Sequence, residues 1–381
     1  MTVDQRTSYL IKTTSIFYLT GIVMSYKLWL PLRQFPLLPI GQADKYLDSS
    51  AIPLALLLVV SLVISLFRPG RVVFFLVITS IGLLVLLDQV RLQPWVYMYT
   101  LFFVVFMILQ NKPGTNSEEV VICLLKLVIT GSYFWAGLHK LNPGFIETTY
   151  NPILEVLFGI SNPDILSVMQ PFGYALPILE ILIAITLFFP GFCFVGILSA
   201  TAMHVFILIY LSPLGIDHNW IVYPWNIAMI IFVWLLFYKS EKKLKISIFQ
   251  DSKAITAGIV LTILVWLLPF LNFFGFWDHY LSFSLYSGKT SELVVFADKN
   301  VSVKFPEFLQ AYISDKGNYD RLLINDWCMG ELNVPIYPEL RIYRRIAGKF
   351  CGYQQYGKLY IRAYQKPFSM KKYIAIKCPE N

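Results

Sequence analysis

The residues best suited to chemistry lie where one apolar stretch ends, in YFWAGLHKLNPGF at residues 133 to 145. Tyr133, Gly137 and Lys140 stand at i, i+4 and i+7, so in a helix they share one face. Gly137 removes a side chain that would hold a neighbouring helix or ligand away from that face. An amine so placed has two readings. It can snorkel to the interface or neutralise carbonyls at a helix C-terminus. Kept in an apolar pocket instead, where the charged form is disfavoured, it becomes available as a neutral base or nucleophile. Position alone does not separate the two.

Glu180, in YALPILEILIAITLFFPG, is the second such group, because a carboxylate inside an apolar run must be protonated, paired or facing water. Proton relay, ligand contact and a hydrogen bond to a facing helix are all open to it. The four histidines complete the set: His139 beside Lys140, His204 inside a later apolar run, His218 in the loop DHNW, and His279. Individually each can be a hydrogen-bonded interface histidine, but with Lys140 they are expected to make a polar pocket near one membrane surface. Neither H-x-x-x-H nor H-E-x-x-H occurs, so a metal would have to be gathered across helices, and no metal is expected.

The elements that position these groups follow from composition. Of 381 residues 57% are hydrophobic and 14% charged, too apolar for one soluble domain, so lipid must be the main solvent. In hydrocarbon every backbone polar group is satisfied internally, which makes uninterrupted runs long enough to cross about 30 Å helical. Nine spans are predicted, near 11 to 31, 51 to 67, 72 to 88, 94 to 110, 119 to 138, 172 to 189, 191 to 211, 220 to 238 and 254 to 274. The first carries Lys12 and lacks a small-residue cleavage site after it, so it reads as a retained anchor.

Loop charge sets orientation. With the N-terminus inside, the cytoplasmic side collects Arg6, Lys12, Arg68, Arg71, Lys112, Lys239, Lys242, Lys243, Lys245 and Lys253. The outside has Lys27, Arg33, Lys45, Arg91 and Lys140, a ratio of ten to five that favours this arrangement. Nine spans then place the C-terminus outside, and bacterial inner membrane is the preferred location. Asp88 reads as an interfacial anchor and Lys126 as snorkelling inward.

Residues 1 to 274 thus form a helical membrane domain, and residues 275 to 381 a small β-rich extracytoplasmic domain. The second region breaks into short segments such as SELVVFAD, KLYIRAYQ and KKYIAIKC between turn residues. It has 15 basic and 10 acidic residues, which suits an anionic surface or an acidic partner, or simply a solvated face. No nucleic-acid motif is present. Cys328, Cys351 and Cys378 fall here, so an oxidising compartment would allow one bridge and leave one thiol over. C-x-x-C does not occur.

At Tyr133, Phe134, Ala136, Gly137, Leu138, His139, Lys140 and Leu141 the chain resembles the vitamin K-dependent gamma-carboxylase family and its bacterial relatives, the horizontally transferred transmembrane domain proteins. The resemblance implies about nine helices, an inward N-terminus, an outward C-terminal region, and Lys140 as the amine base that starts oxidation of a reduced, vitamin K-like quinone. His139, where that family has lysine, would be its catalytic neighbour. Tyr133, Gly137, Glu180, His204 and His218 would form the substrate or cofactor pocket. The chain is much shorter than the animal enzymes, whose long outer region docks their protein substrates. Glu180 with its following small residues and Pro-Gly turn is also similar to the DoxX and MauE group, whose four-helix core is associated with quinone or thiol redox systems and would cover residues 119 to 238.

The competing expectation is a non-catalytic membrane anchor or scaffold whose outer domain binds a periplasmic protein partner through WCMGELNVPIYPELR. There Trp327, Tyr337 and Pro338 are either core or an exposed recognition edge. Transport is less favoured, because the spans lack paired halves with matching broken helices.

Overall fold

The computed structural model describes residues 3–41, 48–108, 117–239, 252–364 and 372–378. It is mostly helical, and all nine apolar stretches contain helix. They are α1 (Val3–Met24), α2 (Asp48–Phe67), α3 (Arg71–Leu87), α4 (Pro94–Phe106), α5 (Ser117–Lys140), α6 (Ala175–Phe188), α7 (Cys193–Leu211), α8 (Tyr223–Phe237) and α9 (Ser252–Thr262). Helix α9 runs on through a π turn, Ile263–Leu267, and a 3-10 turn, Leu268–Phe274.

Six described segments are long and apolar enough to cross a membrane, which is the mark of an integral membrane protein. They are Ser50–Phe67, Ser117–Lys140, Pro163–Phe188, Cys193–Leu211, Trp220–Phe237 and Ala254–Phe274, while α3 and α4 are shorter. Helix α1 begins and ends earlier than the sequence pattern suggests. Its N-terminal turn is fixed by Arg6, whose guanidinium donates to the carbonyls of Leu235, Tyr238 and Lys239 at the end of α8. Of the loop cations used for orientation, Lys45, Lys112, Lys242, Lys243 and Lys245 lie outside the described residues, as does the Lys253 side chain.

Helix α5 is central: 72% of its spanning window is buried, against 22% to 33% for Ala254–Phe274, Cys193–Leu211, Ser50–Phe67 and Pro163–Phe188. Small residues let it be surrounded. A methyl group at Gly131 would stand 2.5 Å from Val265, and one at Gly137 would stand 2.6 Å from the Pro177 carbonyl of α6.

The C-terminal region carries a five-stranded antiparallel sheet, with β1 (Glu292–Ala297), β2 (Ile313–Asp315), β3 (Asp320–Leu323), β4 (Leu359–Tyr364) and β5 (Tyr373–Ala375) in the order β2-β3-β1-β4-β5. The expected small sheet is present, and two helices that the sequence reading did not foresee, α10 (Ile324–Leu332) and α11 (Leu340–Phe350), pack with it. Helix α11 turns Ile342, Tyr343, Ile346, Ala347 and Phe350 inward. That is a 3.6-residue period, which the flanking arginines obscure when the segment is scanned for strands. Trp327, Tyr337 and Pro338 are all buried, so this stretch is core and not a recognition edge. Cys351 and Cys378 form a disulfide and Cys328 is a buried free thiol, one bridge and one thiol as the count allowed.

The domain is seated on the helix ends by polar contacts. Glu331 accepts from the backbone of Gln34 and Phe35, Asn333 donates to Met24 O at 2.9 Å, and Gln93 donates to Pro335 O at 3.0 Å.

Candidate functional site

Lys140 is the last residue of α5, and the chain turns immediately after it. Asn142 makes the turn: its Oδ1 accepts from Phe145 N at 3.2 Å, while Nδ2 donates to His139 O at 2.8 Å and to Ser287 O at 2.7 Å. Gly144 and Gly288 cross with their backbones in contact, and Gly288 has φ +67°. No side chain fits between them, so the C-terminal domain is anchored beside the Lys140 end of the helix.

The amine is not alone. Lys140 Nζ donates to both Oε1 and Oε2 of Glu180, each at 2.7 Å, and the two side chains are 12% and 9% exposed. Gly137, one turn below Lys140 on the same face, makes this possible. Its missing side chain lets α6 approach until Pro177 and Glu180 touch α5. The pairing of two ionised groups at the inner faces of apolar helices offsets a desolvation cost that neither would meet alone.

Two turns deeper on that face a second polar chain begins. Tyr133 Oη lies 2.8 Å from His204 Nε2 on α7, and His204 Nδ1 lies 2.7 Å from Asn226 Oδ1 on α8. Asn226 Nδ2 in turn donates to Val222 O at 2.8 Å. Tyr133, His204 and Asn226 are all buried. The two groups are electrostatic neighbours, for the charge of Glu180 acts on Tyr133 and that of Lys140 on His204.

The structure therefore brings together Tyr133, Gly137, Lys140, Glu180 and His204. It separates three of the expected histidines from that group. His139 precedes Lys140 and is turned by about 100° from it around the helix, so it does not share the Lys140 face. Its fully buried ring lies against Trp135 and Phe273, with centroids 5.6 and 4.6 Å away. Neither ring nitrogen makes a full hydrogen bond, with only a weak backbone interaction at Pro269. His218 is exposed in the loop after α7, away from Lys140. His279 pairs with Glu339 at 3.0 Å instead of turning toward Lys140. Among the described residues no three His, Cys, Asp or Glu side chains gather as a metal-binding group.

One buried group escaped the sequence reading and a second was given too simple a role. Asn226 is an amide inside an apolar span, in YPWNIAMI, and that alone was a signal that it needs a partner. Asp88 is no simple interfacial anchor: it is fully buried, pairs with Arg33 at 2.6 Å, and accepts from the backbone of Leu38 and Val90. Comparisons of this chain with protein families, with curated proteins and with solved structures find no match.

Proposed function

We propose that this chain is a quinone-linked integral membrane enzyme in which the Lys140–Glu180 pair handles a proton near the non-cytoplasmic surface. The observation that carries the reading is the pair itself, an amine and a carboxylate of two facing helices at 2.7 Å and nearly closed to solvent. In a low-dielectric interior, moving one proton from Nζ to the carboxylate gives an amine and an acid with no net charge, which relieves the desolvation cost of both ions. The freed lone pair first faces the Glu180 acid, and rotation about Cε–Nζ turns it to a ligand hydroxyl proton. Glu180, rather than an apolar pocket alone, thus frees Lys140 to act as the base.

The donor set fits a headgroup with oxygens at both ends. Two ammonium hydrogens serve Glu180 and the third N–H remains for a ligand oxygen, while Tyr133 and His204 supply polar contacts about 10 Å deeper. A reduced quinone, when bound, supplies a dissociable hydroxyl and reducing electrons. This reading accords with the resemblance to the gamma-carboxylase group at Tyr133, Gly137 and Lys140. The DoxX and MauE resemblance leads to the same ligand class.

The accompanying topology has nine spans, a cytoplasmic N-terminus and an outer domain in the periplasm of a bacterial inner membrane. Loop charge supports it, and so does the Cys351–Cys378 bridge, a modification of oxidising compartments. To test the function, purified protein is extracted for bound quinone and assayed for oxygen-dependent turnover of a quinol. Lys140→Ala should fold and lose turnover; unchanged turnover rejects the proposal.

A second reading is favoured by the bidentate geometry, since a carboxylate that takes two ammonium hydrogens also makes a good clamp between α5 and α6. In that case the protein is an anchor or scaffold for an extracytoplasmic partner. Purification with one stoichiometric protein and no quinone supports it.

A further inference from the structure

The direction of the hydrogen bonds in the deeper polar chain can be derived from Asn226. Its Nδ2 faces the Val222 carbonyl at 2.8 Å, and a carbonyl oxygen only accepts. Reversing the amide would set two carbonyl oxygens against each other, so Oδ1 must face His204 Nδ1, at 2.7 Å. Oδ1 also only accepts. The hydrogen of the imidazole is therefore on Nδ1. His204 is buried with no carboxylate hydrogen-bonded to it, so the ring is neutral and Nε2 carries a lone pair. Tyr133, 2.8 Å away, must donate its hydroxyl hydrogen to that lone pair. Every donor in the chain is then spent in one direction, from Tyr133 to His204 to Asn226 to Val222.

We infer that Asn226 is a positioning residue that fixes His204 as the Nδ1–H tautomer and so makes Tyr133 present only lone pairs to a ligand beside α5. The opposite tautomer would point Nε2–H at the tyrosine oxygen and release the phenolic hydrogen toward the ligand. With the lock in place, a ligand oxygen at Tyr133 has to bring its own hydrogen. A hydroxyl is accepted there, whereas a carbonyl oxygen meets lone pairs. The identity of the ligand as a quinol rests on the function proposed above; the tautomer rests on geometry alone.

The test uses the full chain in lipid nanodiscs with nitrogen-labelled histidine, the His204 signals being assigned by their loss in His204→Gln. The wild type should show a protonated Nδ1 and a bare Nε2. Asn226→Leu should switch to the Nε2–H form. Asn226→Ala, which adds no volume, gives the same readout if leucine prevents assembly. A protonated Nε2 in the wild type, or an unchanged tautomer without the amide, overturns the inference. In parallel, a short-chain benzoquinol and its benzoquinone are titrated as probes. Wild type should favour the quinol by about tenfold, the worth of one hydrogen bond, and Asn226→Leu should lose that preference. A tautomer that switches while neither probe binds upholds the lock and refutes the quinone reading.

Discussion

Glu180 stands among leucines and isoleucines in α6, and what it does for Lys140 depends on whether the pair is catalytic or only structural. Removing one member leaves the other charge buried, at a cost of about 3–5 kcal/mol, whereas replacing both with apolar residues is often neutral. Lys140→Met should therefore lower thermal stability in detergent, and Lys140→Met with Glu180→Leu should restore it. Activity discriminates: under the proposed function the double variant remains at least about a hundredfold less active, and recovery of turnover would reduce the pair to a clamp. The Arg33–Asp88 pair allows the same thermodynamic test without the chemistry. Asp88→Ala leaves Arg33 buried without its carboxylate and strips Leu38 N and Val90 N of their acceptor. It should cost about 3–5 kcal/mol, read from a melting curve. The sequence made Lys140 and Glu180 visible because charge inside an apolar run is rare. It could not show that they meet, since residues 40 apart on different helices are joined only by packing. Asn226 and Asp88 were readable as polar groups in apolar settings, but neither had a motif to draw attention to it.

At the scale of elements, the site exists because α5 and α6 come close at one point. Gly137 sets that distance, and a methyl group there would stand 2.6 Å from a backbone oxygen that cannot rotate away. Gly137→Ala must push the helices apart and lengthen the Lys140–Glu180 contact. The expected loss is about 1–3 kcal/mol of stability together with activity, measured by thermal unfolding and turnover. Gly82 on α3 is the control, because a methyl group there meets nothing within 4 Å, and Gly82→Ala should be neutral or slightly stabilising. The helices were legible from apolar length, and the shared face of Tyr133, Gly137 and Lys140 from spacing. Helix α11 was missed because its buried residues alternate with four cations, and local composition drew attention away from the period. His139 was misplaced for a simpler reason: residues adjacent in sequence are turned by about 100° on a helix and face different neighbours.

For the whole molecule, the question is how the C-terminal domain is held on the bundle. Asp278, just past the last helical turn, accepts from Arg341 Nη1 at 2.8 Å and from Tyr337 at 2.7 Å, while Arg341 also reaches Gln89 at 3.0 Å in the turn between α3 and α4. Burial raises the Asp278 carboxyl, but the hydrogen bonds and charge of Arg341, with the Tyr337 hydroxyl, outweigh it and hold the group below its ordinary 3.8. A carboxyl depressed in the folded state contributes stability that is present above the unfolded value and lost as pH falls through the folded one. Docking of the domain should thus be flat with pH above about 4 and weaken below it, seen as faster proteolysis between the bundle and β1. Asp278→Asn should weaken docking at neutral pH and remove its share of this acid dependence. An acid profile identical to wild type would show that the network does not hold the domain. The disulfide makes the same assembly report its own orientation. A Cys351–Cys378 bridge in the cell calls for an oxidising compartment, and under the proposed topology of nine spans and an inward N-terminus the C-terminal domain faces one. In cells lacking periplasmic thiol oxidation the bridge should fail to form. In normal cells a membrane-impermeant reductant should open it, after which an impermeant maleimide should label both cysteines. Labelling only after the membrane is permeabilised would place the domain in the cytoplasm, change the span count by one, and move Lys140 to the opposite leaflet from the one the proposed chemistry requires.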